Sequence, residues 1–151
     1  MDGYASKKNP GLRFKLISEE RALKLEYGEA HLAIRAGVKP IDPDNIVKHL
    51  LPIQLGMYAH KNYVEEMGTI QSSDDFSRHK YVLETNLPIR SITKWIADNI
   101  PLDNVVFKSS DHTALEKAII DGMGIGLHPT ILAIENKELE LVMPLIHEWR
   151  S

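Results

Sequence analysis

Cysteine is absent from the 151 residues, which excludes disulfides, thiolate nucleophiles and cysteine-ligated zinc. No apolar run approaches the roughly 20 residues that a membrane-spanning helix needs. The opening MDGYASKKNPG has no apolar core of the signal-peptide kind, so a cytoplasmic location is expected and no membrane partner. A basic surplus is missing as well. The formal net charge is −3, whereas a chain that holds duplex nucleic acid by itself must neutralise phosphates. The seven histidines show no HxxxH or HExxH spacing, and there is no G-x-S-x-G elbow. Carboxylate pairs such as Glu19-Glu20, Glu65-Glu66 and Asp74-Asp75 are adjacent, so their side chains diverge onto solvated faces. Neither a metal, nor a cofactor, nor an enzymatic activity is expected.

What is present reads as an ordinary globular composition, 43% apolar and 26% charged, of about one domain's length. The most informative stretch is Asn104 to Pro129, NVVFKSSDHTALEKAIIDGMGIGLHP. Val105, Val106 and Phe107 suit a short buried strand, and Ser109, Ser110 and Asp111 are helix-capping residue types. Leu115, Ala118, Ile119 and Gly122 recur at helical spacing, with Glu116, Lys117 and Asp121 turned toward water. Gly122 stands where a left-handed helix terminus favours glycine, and Gly124 and Gly126 flank re-entry into a strand, Ile125 to His128. Such a β-α-β unit belongs to an open, mostly parallel sheet, which binds ligands beyond its strands' carboxyl ends. The glycine run is not a phosphate loop, because it follows a helix and precedes a strand.

Elsewhere, alternation predicts a strand at Leu12 to Ile17, and strands are also expected at His31 to Arg35 and Ile46 to Leu51, with a helix from Ser18 to Tyr27 stopped by Gly28. Further strands are expected at Gln54 to Tyr58, Tyr81 to Thr85 and Leu139 to Pro144. Helices are expected over Ala59 to Met67, from Pro88 to Ile100 and over Thr130 to Asn136. Trp95 reads as core; Trp149 has no partner that sequence spacing identifies.

Three segments carry a family resemblance. GEAHLAIRAG (Gly28 to Gly37) resembles the GEADLAIR-x-G segment of LysR-type transcriptional regulators, with His31 in place of aspartate. Tyr58 to Val82 is similar to the family's Y-x-x-x-x-YL-x-x-x-G-x-P…DL-x-x-H pattern, with Ile70 where proline is common. AIIDGMGIGLHP (Ala118 to Pro129) is similar to its A-x-x-G-x-GIG-x-LP signature. The resemblance spans about Asn9 to Pro144 and implies an α/β fold of the type-2 periplasmic-binding-protein kind, two lobes joined by two crossover strands. Lobe I would be residues 1–54 plus 128–151 and incomplete, and lobe II residues 55–127, together one effector-binding domain. The crossings would be Gln54 to Tyr58 and Ile125 to His128.

The implied function is a ligand-sensing regulatory domain that binds a small, anionic effector between its lobes. It would be cytoplasmic and at least dimeric, and would reach DNA only through a helix-turn-helix domain that this stretch does not contain. A solute-binding protein of the same fold and a remnant regulator are the alternatives. The strand-end rule and the resemblance together nominate Arg35, Gly37, Thr85, Asn86, Ser109, Ser110, Asp111 and His112 as ligand-binding residues. Backbone N–H groups and hydroxyls at Ser109 to His112 would suit a carboxylate. Plain helix capping by Asp111, which would repel an anion, is the competing reading, as a solvated side chain is for Arg35.

Overall fold

The computed structural model describes residues 7–19, 21, 23–35 and 43–150. The chain divides into two compact units, Met1–Ile34 and Arg35–Ser151. In the first, Lys7 and Lys8 are helical and the other described residues form turns and irregular chain, with no regular strand. One 3₁₀ turn, Leu25–Tyr27, is closed by Gly28 in a left-handed conformation (φ 71°). Arg21 bridges Glu19 at 2.7 Å and Glu29 at 2.9 Å. The glycine stop is therefore where the sequence puts it, but the Ser18 to Tyr27 helix is reduced to this turn among the described residues. The strands expected at Leu12 to Ile17, His31 to Arg35 and Ile46 to Leu51 are also not formed. Alternation supplies a face, but a strand also needs a neighbour to complete its ladder. Phe14, Leu16, Leu32 and Ile46 remain exposed.

The second unit is built on one five-stranded sheet. Its strands are β1 (Leu55–His60), β2 (Tyr81–Glu84), β3 (Val105–Ser109), β4 (Ile125–Pro129) and β5 (Leu139–Leu141), in the order β3-β2-β4-β1-β5. Strands β3, β2 and β4 run parallel; β1 lies antiparallel to both β4 and β5. The sheet is thus mixed, where Asn104 to Pro129 alone suggests a mostly parallel one. The helices are α1 (Lys61–Met67), α2 (Arg90–Asn99), α3 (His112–Ile120) and the single turn α4 (Thr130–Ala133).

Period-two alternation decides which face each strand residue covers. Met57, Ala59, Tyr81 and Leu83 join Ile92 of α2, Ile100 and Trp149 in one buried cluster. Tyr58 and Val82 face the other way, onto Leu115, Ala118 and Ile119 of α3 and Ala133 of α4. Both sides of the sheet are covered, as an α/β fold requires. On the first face three aromatic rings stack edge-on in series. Phe76 meets Trp95 at 5.3 Å, and Trp95 meets Trp149 at 4.9 Å.

The expected crossing segments lie side by side, from Leu55 opposite Pro129 to Tyr58 opposite Gly126. Residues 128–150, expected with residues 1–54, here pair and pack with the 55–127 segment. Strand β5 takes the outer edge of β1, α4 covers the α3 face, and Trp149 fills the space beside Trp95. Gln54 forms an antiparallel bridge with Arg150.

Candidate functional site

The three parallel strands deliver their carboxyl ends to one edge of the sheet, at Glu84, Ser109 and Pro129. Most nominated residues follow directly. Thr85 donates its backbone N–H to Ser109 O at 2.9 Å, which ties the turn after β2 to the end of β3. Ser109 Oγ, half-buried, accepts from the N–H of Asp111 at 3.0 Å. Asp111 then caps α3, its Oδ1 accepting from the N–H groups of Thr113 (2.8 Å) and Ala114 (3.3 Å). Asn86, Ser110 and His112 are exposed beside this turn.

Thr85, Asn86 and Ser109 to His112 are therefore brought together. Arg35 is exposed, and Gly37 lies outside the described residues. Two of the helix-opening N–H groups that an incoming carboxylate would use, those of Thr113 and Ala114, are already engaged by a carboxylate. An anion there would have to displace Asp111 and approach its charge.

Beside the cap is a cavity of about 270 Å³ between α3 and α4, floored by β2 and β4. Its walls are mostly apolar: Val82, Leu115, Ile119, Leu127, Pro129 and Leu132. Four polar side chains interrupt them: Glu84, His112, Glu116 and His128. Glu84, its side chain 15% exposed, faces His112 Nε2 at 3.8 Å. His128 is more deeply set, its side chain 7% exposed, with Nε2 4.0 Å from Glu116 Oε1 and its ring edge-on to Tyr58. Burial pulls the His128 pKa down, against the weaker opposing effect of Glu116, which favours a neutral imidazole. Thr130 Oγ1, two residues on, is buried without a hydrogen-bond partner.

Glu84, Glu116 and His128 are not among the residues nominated from sequence. His112 and Glu116 are four apart on one helix, so their shared face was readable. Glu84 and His128 end different strands, and only the sheet order brings them together. Among the described residues, no three His, Asp or Glu side chains form a group that could hold a metal ion. No helix among them is long and apolar enough to cross a membrane.

A two-sided α/β sheet with an apolar, polar-studded cavity at its parallel strand ends defines a small-molecule-binding domain. The chain belongs to the LysR substrate binding domain family, whose sequence model it matches over residues 5–151. The regulatory domain of CrgA, a LysR-type transcriptional regulator from Neisseria meningitidis, is a structural relative with a TM-score of 0.73 and 24% identity. The match covers 99% of this chain and 74% of that one. Against a second, longer CrgA chain the TM-score is 0.71, and this chain spans 51% of its length. The AphB regulatory domain from Vibrio vulnificus, treated with cumene hydroperoxide, aligns with a TM-score of 0.66 at 16% identity, over 99% of this chain and 76% of that one. No curated protein sequence matches.

Proposed function

We propose that this chain is the effector-sensing part of a LysR-type transcription regulator, acting by binding and not by catalysis. A small effector settles at the carboxyl ends of β2, β3 and β4, and its binding energy shifts the conformational balance of the assembled regulator. The carrying observation is the cavity beside the α3 cap, together with family membership over nearly the whole chain. Of the nominated residues His112 lines the cavity; Thr85, Asn86, Ser109 and Ser110, in the turns beside it, are further residues that an effector would meet, while Asp111 holds the turn. Arg35 and Gly37 contribute on the strength of the resemblance alone. The regulator works in the cytoplasm as a homo-oligomer, at least a dimer, and DNA contact belongs to a helix-turn-helix domain outside this stretch.

A thermal-shift screen of small acids, alcohols and amines tests this reading, followed by amide NMR mapping of each stabilising compound. The expected result is a perturbed set of amides around residues 84–86, 109–112 and 128–130. Compounds that bind only elsewhere, or a folded chain that none of them stabilises, would overturn it.

A further inference from the structure

The charge of the cavity wall argues for a ligand class opposite to the carboxylate that helix-capping residues suggest. Two carboxylates, Glu84 and Glu116, line the space, and among the described residues no lysine or arginine does. Glu84 is largely buried, and among the described residues the one charged or titratable side chain paired with it is His112 at 3.8 Å, beyond hydrogen-bond distance. An acidic pair alone would be a solvated surface. The independent observation is His128: its side chain is over nine-tenths buried, it lines the same cavity, and its imidazole makes no hydrogen bond to any described residue. A deeply set ring nitrogen that no described residue engages is open to accept from a ligand.

We propose that the cavity binds a small ammonium-bearing molecule with an apolar body, its charge balanced by Glu84 and Glu116. One N–H of the ammonium donates to the neutral ring of His128, and the others to the two carboxylates, giving charge-assisted hydrogen bonds. The apolar body lies against Leu115, Ile119, Leu127 and Leu132. Size limits the class. An engineered cavity of about 150 Å³ holds benzene. The 270 Å³ here therefore suits a phenyl ring or branched alkyl group with a two- or three-atom arm to the ammonium. A carboxylate in its place would face two like charges with no cation to offset them.

This ligand class rests on the reading of the strand ends as the effector site, and a matched set of probes separates the two. Phenethylamine, 2-phenylethanol and 3-phenylpropionate, similar in size and different in charge, are titrated calorimetrically into the full chain at pH 7.5. Saturable binding is expected for the amine, at least tenfold tighter than for the alcohol, with none for the acid. Glu84→Gln should weaken the amine about tenfold and leave the alcohol unchanged. Should that variant fold poorly, Glu116→Gln, on an exposed helix position, is expected to weaken the amine several-fold with an unaltered melting curve. Preference for the acid, or amine binding indifferent to both substitutions, overturns the ammonium assignment and leaves the effector site standing. Binding of none of the three, nor of a broader set of amines, by a folded chain overturns the ammonium assignment alone; the effector site falls only if the wider thermal-shift screen also finds no ligand there.

Discussion

At the scale of single residues, two buried histidines link this fold to pH. His79 is 2% exposed, and its Nδ1 shares a 3.1 Å hydrogen bond with the Tyr63 hydroxyl. That hydroxyl also accepts from the N–H of Lys80 at 3.0 Å. Burial is the main cause lowering the pKa of His79, as it is for His128. Both rings therefore bind protons less readily in the folded chain than in the unfolded one, whose histidines titrate near about 6.5. Stability from this source is complete above that value and is lost as pH falls through it toward the lowered folded values. A lower thermal midpoint at pH 5.5 than at 7.5 is expected, and equal midpoints would count against this account. Tyr63→Phe should cost about 1–3 kcal/mol by chemical denaturation, because it leaves the Lys80 N–H and a buried ring nitrogen unpartnered.

The glycine run also acquires its meaning residue by residue. Gly122 has φ +77°, the left-handed conformation that its place after α3 requires. Gly124 is limited by space: a Cβ there would lie 2.5 Å from the Lys80 carbonyl oxygen. That is the carbonyl to which Ile125 donates at 2.8 Å as β4 enters the sheet. Gly124→Ala must push β4 from β2 and is expected to destabilise by about 1–3 kcal/mol, with intact ligand preference in whatever fraction remains folded. A neutral effect in a urea titration would show that the two backbones separate freely.

Elements form here where local signals and long-range partners agree. The cap of α3 was legible, since Ser109, Ser110 and Asp111 act within a few residues of the helix they open. Asp111→Ala should cost about 1 kcal/mol through loss of two N–H acceptances, read from a denaturation midpoint. The helix end at Gly122 was equally legible, for the same local reason. The strands expected over Leu12 to Ile17 and His31 to Arg35 are apolar-rich runs as β1 is, yet of the three only β1 has neighbours, β4 and β5. Trp149 is the reverse case. No spacing in the sequence points to a partner, but its ring sits 2% exposed against Trp95. Trp149→Ala removes the end of that aromatic series and should cost about 3–5 kcal/mol, observable as a large fall in thermal midpoint.

At the scale of the whole molecule, every buried core side chain among the described residues falls between Met57 and Trp149. A chain of residues 52–151 is therefore expected to fold by itself. Its melting midpoint should lie within about 5 °C of the full chain's, roughly the shift that 1 kcal/mol produces in a domain of this size. An unfolded product would show that residues 1–51 supply stability their exposure does not reveal. The same exposure predicts self-association of the full chain, because Leu16, Leu32, Ile34 and Ile46 present apolar surface to water. Sedimentation at micromolar concentration should give a dimer or larger species, and a monodisperse monomer would exclude it.

The sequence by itself determined the turns, the caps, the helix faces and the family, because each depends on residues within about four positions or on motifs kept in order. Tertiary structure decided which alternating segments became strands, where Trp149 was buried, and that Glu84, Glu116 and His128 share one cavity. Those outcomes depend on contacts between residues far apart in the chain. A strand's partner and a cavity's charge are properties of the assembled sheet, and no single segment carries them.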